Sequence, residues 1–236
     1  MKGCMGDASI LQPTAMTTVP LILDRISKGI NDKVNNGSPF AKVIFKFAYN
    51  YKCKWYRRGY TTPILDKLIF KKVAKLMGGK VRLLISGGAP LSADTHEQIR
   101  LCLCVDMLQG YGLTETTAGA AVMDKWDMSY ARVGAPSSMV DMKLVNWEEG
   151  NYLVTNKPYP QGEIVLGGEN VSQGYYKLPG KTDEDFFDDA EGRRWFRTGD
   201  VGEIHPDGAL KIIGKFTWRF PCRSSINKFF CLVFRS

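Results

Sequence analysis

The chain has 236 residues, 44% of them hydrophobic and 24% charged, which is enough to bury a core and too apolar for disorder throughout. No apolar stretch reaches the roughly 20 residues needed to cross a bilayer, and Met1-Lys2-Gly3-Cys4-Met5-Gly6-Asp7 lacks the apolar core of a signal peptide. The net charge of +8 is uneven: residues 42–82 carry twelve Lys/Arg against one acid, Asp66, and residues 215–236 carry five against none. The rest of the chain is therefore acidic, which argues against a uniformly basic nucleic-acid binder. The expectation is a cytosol-facing protein with no membrane span.

Apolar residues at helical spacing (Val19, Ile22, Leu23, Ile26, Ile30, Val34) predict a first helix over 19–34. After the turn Asn36-Gly37-Ser38-Pro39, a second helix is expected over 39–57, with Phe40, Val43, Ile44, Phe47, Tyr51 and Trp55 on one stripe. A third follows Pro63 with Leu65, Leu68, Ile69, Val73 and Leu76 facing inward and lysines 67, 71, 72 and 75 outward, and Gly78-Gly79 stops it. Residues 81–86 read as a buried strand, and a helix is expected to begin near Ser92, whose hydroxyl can cap it. Another apolar run, 101–108, leads into Gln109-Gly110-Tyr111-Gly112. Beyond about residue 131 short β-prone runs (139–145, 152–155, 163–166) alternate with turns. The fold class expected is α/β: a mostly parallel sheet with flanking helices over 1–130, then a small antiparallel β-barrel-like subdomain over 131–213, and a basic, aromatic tail over 214–236.

Cys4, Cys53, Cys102, Cys104, Cys222 and Cys231 follow neither disulfide nor zinc spacing, and the Cys102-Leu103-Cys104 pair reads as two small core residues. His96 and His205 have no partner at metal spacing, so zinc chemistry or a histidine triad has little support. The stronger signal is Gln109-Gly110-Tyr111-Gly112-Leu113-Thr114-Glu115-Thr116-Thr117. Its glycines let backbone approach a base or phosphate, and Tyr111 offers a ring to a purine. Thr114 offers a hydroxyl and N–H to phosphate oxygens, and Glu115 is a hard oxygen ligand suited to Mg²⁺. Upstream, Gly87, Gly88, Ala89 and Pro90 form a small-residue turn that could leave a slot for adenine or could be any strand-to-helix turn. It is not a Walker loop. Downstream, Asp200 in Trp195-Phe196-Arg197-Thr198-Gly199-Asp200 suits a ribose, since one carboxylate can accept from both hydroxyls; as a lone residue it would more often form a turn.

These strings in this order resemble the adenylate-forming superfamily, over about 8–213. Val19-Pro20-Leu21-Ile22-Leu23-Asp24-Arg25-Ile26, Phe47-Ala48-Tyr49-Asn50-Tyr51-Lys52, Asn146-Trp147-Glu148-Glu149-Gly150 and Gly174-Tyr175-Tyr176-Lys177 are similar to long-chain fatty-acyl–CoA synthetases, best to the branch favouring polyunsaturated acids. The resemblance implies ATP, Mg²⁺ and coenzyme A as cosubstrates and cofactor, a long-chain fatty acid as partner, and an acyl-AMP intermediate. It implies that Gly87, Gly88, Ala89 and Pro90 border adenine and Tyr111 stacks on it. Gly112 and Leu113 would line the acyl-adenylate site, Thr114 would bind phosphate and Glu115 the metal as the catalytic pair, and Asp200 would hold ribose. Endoplasmic reticulum, mitochondrial outer membrane or lipid droplet are the locations it implies, and cytosol if an N-terminal anchor is needed.

The chain departs from the family pattern in three places. Gly214-Lys215 stand where an Asp-Arg hinge is usual, and the expectation is that the Ser/Thr/Gly-rich phosphate loop before Met16 and the mobile C-terminal domain with its lysine are missing. The expectation is a catalytically incomplete chain, truncated at both ends, with a non-catalytic nucleotide-binding fragment as the alternative. Gly214-Lys215-Phe216 can be encoded by a string containing a splice-donor sequence, so translation into an unspliced intron is one hypothesis for the tail, which transcript sequencing would settle. The 42–82 segment offers peripheral contact with anionic membrane.

Overall fold

A computed structural model describes residues 6–215, together with the backbone of a two-residue strand, Val233–Phe234. The expected tail thus lies outside the described residues except for Gly214, Lys215 and that strand. The chain divides into two compact units, one built mainly from 1–108 with 125–130 and the other from Gln109–Asp124 with Ala131–Lys228.

In the first unit β1 (Ala15–Thr18) runs parallel to β2 (Leu83–Ser86), pairing Ala15 with Leu83 and Thr18 with Ser86, and β2 neighbours β3 (Asp106–Tyr111). A short helix, α1 (Asp7–Leu11), precedes them. Helix α2 (Pro20–Asn35) starts where Pro20 follows the extended Val19, and it buries Leu23 and Ile30. Helix α3 (Pro39–Tyr56) combines Pro39 at its first position with a Ser38 cap, whose Oγ accepts from the Ala41 N–H at 3.3 Å.

The face that α3 buries differs from the expected one. Phe40, Val43, Ile44, Phe47 and Tyr51 are exposed, Phe40 to 76% and Phe47 to 67%. The inward side is instead Phe45, Ala48 and Tyr49, with Phe45 edge-on to Phe70 at 5.8 Å. Both faces are apolar, so periodicity leaves the choice open. Ala48, at 1% exposure, allows close approach. Lys52 then finds an enclosed set of partners: Asp66 Oδ1 at 2.6 Å, the Leu101 carbonyl at 2.7 Å and Cys104 Sγ at 3.0 Å. A buried ammonium is tolerable only with such partners.

The third helical stretch, 63–77, is an α turn (Pro63–Leu65), a π turn (Asp66–Phe70), another α segment (Lys71–Ala74) and a 3-10 turn (Lys75–Met77). The π turn inserts extra length per turn and rotates everything after it. The inward set becomes Leu65, Ile69, Phe70, Val73 and Met77, while Leu68 and Leu76 turn outward at 63% and 41% exposure. Helix α4 (Ala93–Leu103) begins as expected, with Ser92 Oγ accepting from the Thr95 N–H at 3.1 Å. Of the cysteine pair at its end, Cys102 is in the core, but Cys104 caps the helix in a left-handed conformation (φ 55°) and is exposed.

In the second unit, the end of β3 pairs antiparallel with β4 (Ala121–Val122), and β4 with β5 (Ala135–Pro136). The larger sheet comprises β6 (Asp141–Val145), β7 (Gln161–Gly167), β8 (Phe186–Asp188), β9 (Arg194–Ile204) and β10 (Leu210–Lys215), with order β10-β9-β7-β6 and β8 on β9. Every pairing is antiparallel. The barrel-like expectation is corrected: among the described residues β6 and β10 end the order without pairing to each other, so the sheet is open. The strand expected over 152–155 reduces to one bridge, Trp147 to Tyr152, whose rings stack at 5.6 Å. Ala120, Val140, Ile164, Leu166 and Leu210 form one core, and Val171, Phe186 and Phe196 a second beneath α5 (Pro179–Asp185).

Candidate functional site

Strand β3 ends at Tyr111, and the chain then folds back on itself. A Cβ on Gly112 would lie 2.3 Å from the Ala118 carbonyl oxygen, so only glycine admits this approach. The 3-10 turn Thr114–Thr116 follows. The buried Thr116 hydroxyl closes it, accepting from the Leu113 N–H at 3.1 Å and donating to the Leu113 carbonyl at 3.2 Å. Thr117 and Ala118 adopt left-handed conformations at φ 49° and 69°. The result is a tight loop that leaves Thr114 exposed and Glu115 half-buried.

Asp200 comes from the middle of β9, where its N–H donates to Thr198 Oγ1 at 3.0 Å and that hydroxyl donates to the Ile164 carbonyl at 2.8 Å. The Tyr111 hydroxyl donates to Asp200 Oδ2 at 2.7 Å, and Lys215 Nζ stands 3.4 Å from Oδ1. Burial first, and the Asp200 charge second, push the Tyr111 phenol far above its ordinary pKa. The phenol therefore stays protonated and donating. The hydrogen bond holds the phenol oxygen against one oxygen of the carboxylate.

Glu115 has a different neighbour. Tyr175 donates its hydroxyl to Glu115 Oε1 at 2.9 Å, with Asp185 Oδ2 at 3.3 Å as a second acceptor on the same phenol. Burial and then Glu115 raise the Tyr175 pKa well beyond the ordinary tyrosine range. The segment around Tyr175 grips the loop elsewhere too. Ser172 N–H donates to the Glu115 carbonyl at 2.8 Å, and Asn170 Nδ2 donates to the Thr116 and Gly119 carbonyls at 3.1 and 2.7 Å.

Of the residues expected from sequence, Tyr111, Gly112, Leu113, Thr114, Glu115 and Asp200 all belong to the second unit. Gly87, Gly88, Ala89 and Pro90 follow β2 in the first unit, Gly88 with φ +81° and the last three exposed. Tyr175 and Asn170 were not singled out by sequence reasoning. The Gly174-Tyr175-Tyr176 string was visible, but nothing local separates the two tyrosines. A Cβ on Gly174 (φ +131°) would meet Thr182 Cγ2 at 2.3 Å, and this tertiary packing turns Tyr175 inward and leaves Tyr176 85% exposed.

The chain is 45% identical over 220 residues to long chain acyl-CoA synthetase 8 of Arabidopsis thaliana and 40% identical over 210 residues to fatty acyl-CoA synthetase A of Dictyostelium discoideum. These alignments cover 91% and 89% of this chain but 31% of each relative, so the chain spans about a third of their length. Among solved structures it is similar to the A domain of a carboxylic acid reductase from Segniliparus rugosus, in complex with AMP and a co-purified carboxylic acid. The TM-score is 0.63 at 26% identity, covering 89% of this chain and 28% of that one. The match thus shares the α/β fold described above. A family model described as AMP-binding enzyme matches residues 2–176, a span that includes the Tyr111–Thr117 loop and Tyr175. On that match, which takes in most of both units, the chain belongs to the AMP-binding enzyme family.

Proposed function

We propose that this chain supplies the adenylate-binding part of a long-chain fatty acid–CoA ligase. In that reaction the fatty carboxylate attacks the α-phosphate of ATP and pyrophosphate leaves. The thiolate of coenzyme A then attacks the acyl carbonyl of acyl-AMP and AMP leaves. The observation that carries the reading is the Tyr111–Asp200 hydrogen bond of 2.7 Å beside the 112–118 loop. Tyr111 offers its ring to the base, and Asp200 accepts from the ribose hydroxyls with lone pairs its present partners leave open. Lys215 keeps a positive charge beside that carboxylate, and Thr114 donates to phosphate. The turn 87–90 is proposed to present its backbone to a purine, a reading that rests on its sequence.

A magnesium ion would neutralise phosphate charge at such a site. Among the described residues no cluster of three or more His, Cys, Asp or Glu could form a metal cage. Glu115 offers one carboxylate with Oε1 held by Tyr175. That donor set fits Mg²⁺, which commonly takes one or two carboxylates and completes its shell with phosphate oxygens and water.

Calorimetric titration of the 236-residue chain with AMP tests the reading. Wild type is expected to bind, and Asp200→Ala to bind at least about tenfold more weakly, as loss of a charged hydrogen-bond acceptor implies. Equal affinity for the two proteins would defeat it.

A second proposal concerns the 42–82 segment, which we read as meeting the surface of an anionic membrane. Exposed Val43, Phe47, Ile64 and Leu68 share this segment with exposed Lys42, Lys46, Lys54 and Lys67. A cavity of about 500 Å³ lined by Phe47, Tyr51, Trp55, Tyr60 and Ile64 opens on this face. Apolar side chains among lysines suit a headgroup boundary.

A further inference from the structure

The Glu115 carboxylate is held by a residue to which neither the relatives' names nor the nucleotide reading assigns a role. Tyr175 reaches it from another part of the second unit, sixty residues along the chain, at 2.9 Å. Three features fix the phenol. Its backbone N–H donates to Thr182 Oγ1 at 2.9 Å, its ring packs edge-on to Phe186 at 5.4 Å, and Gly174 leaves room for Thr182 against the backbone. The phenol has one proton and two carboxylates around it, and Glu115 at 2.9 Å is nearer than Asp185 at 3.3 Å. Lys181 Nζ lies 3.6 Å from Asp185 Oδ2, which gives that second carboxylate a cation of its own.

We propose that Tyr175 is a positioning residue for the Glu115 carboxylate: by donating to Oε1 it orients Oε2 as the one oxygen presented to a divalent cation on bound nucleotide. The inference rests on the reading of Glu115 given above. A carboxylate on a rotatable side chain samples many orientations, and a hydrogen bond to one oxygen removes most of them before the ion arrives. Asp185 competes for the same proton, and Lys181 weakens that competition by neutralising Asp185. The clamp is supported from behind, since Ser172 and Asn170 hold the backbone of the same loop.

The test compares the affinity of the full chain for α,β-methylene ATP, measured by calorimetry, in EDTA and in Mg²⁺. The ratio of the two constants reports how strongly protein and ion cooperate. Tyr175→Phe is expected to reduce that ratio about tenfold, the low end for loss of a group behind a metal ligand, with the EDTA constant unchanged. Asp185→Asn frees the phenolic proton for Glu115 and is expected to hold the ratio or raise it. Tyr176→Phe, on the exposed neighbour, should leave both constants alone. Glu115→Gln should collapse the ratio. If Glu115→Gln leaves the ratio intact, or wild type shows no Mg²⁺ dependence, the reading of Glu115 fails and the inference falls with it. If Glu115→Gln collapses the ratio while Tyr175→Phe does not, the inference alone is overturned. A Tyr175→Phe protein whose two constants weaken together, or an Asp185→Asn protein that loses as much as Tyr175→Phe, shows a purely structural role and also overturns it.

Discussion

His96 is fully buried in the first unit, its Nε2 donating to the Met107 carbonyl at 2.9 Å. Arg100 donates to the same oxygen at 2.7 Å. Burial first, and the Arg100 charge second, lower the His96 pKa from 6.5 to about 4. The folded chain therefore keeps this imidazole neutral while the unfolded chain protonates it between these two values. Stability should rise as pH increases from about 4 to about 6.5 and be lost as pH falls back, by on the order of 3 kcal/mol from this residue. Urea midpoints measured across that window should climb for wild type and climb less for His96→Gln; parallel profiles would contradict the assignment. Arg100 stands one helical turn along α4 and is visible beside His96 in the sequence, but the complete burial and the Met107 carbonyl come from packing that the local sequence does not announce. The tight turn after Tyr111 was legible for the opposite reason, because Gly112, the one residue that admits the Ala118 carbonyl, marks it within a short string.

At the scale of elements, starts were readable and faces only in part: Leu23, Ile26 and Ile30, and Leu65, Ile69 and Val73, pack inward as expected. Pro20, Pro39 and Ser92 mark helix beginnings through local stereochemistry, and the structure uses each of them so. The faces of α3 and of 63–77 depend on a choice between two apolar stripes and on a π turn, neither of which a 3.6-residue period encodes. Lys52 settles part of that choice, since its three partners lie on the 63–77 stretch, at the end of α4 and on the residue after it. Lys52→Ala should therefore cost about 3 kcal/mol, by stranding Asp66 and the Leu101 carbonyl. Chemical denaturation would register it, and a change below about 0.5 kcal/mol, typical of surface sites, would show that the network is not holding these elements together. The open sheet was equally hidden. Alternation predicts strands, whereas closure depends on whether the two end strands meet.

For the molecule as a whole, charge and apolar exposure coincide over 42–82, and that coincidence gives the membrane proposal its test. The chain should float with vesicles of phosphatidylcholine containing about a third phosphatidylserine, and float poorly with phosphatidylcholine alone. Binding should weaken as ionic strength rises from about 0.05 to about 0.5 M, because the attraction is screened beyond a Debye length. Phe47→Ser should weaken it at every salt concentration. Flotation that ignores both serine lipid and Phe47 would rule the face out. The basic block is plain in the sequence, but periodicity groups Val43, Ile44, Phe47 and Tyr51 on one stripe without saying that the stripe is exposed.

Enclosure of Lys52 also gives the chain an internal label of its own integrity. Amine-reactive reagents should modify the exposed lysines at 42, 46, 54, 67, 71 and 72 readily, and spare an ammonium at 4% exposure held between a carboxylate and a carbonyl. Peptide mapping after brief acetylation thus reads out whether the first unit is folded in any preparation, including one bound to a membrane.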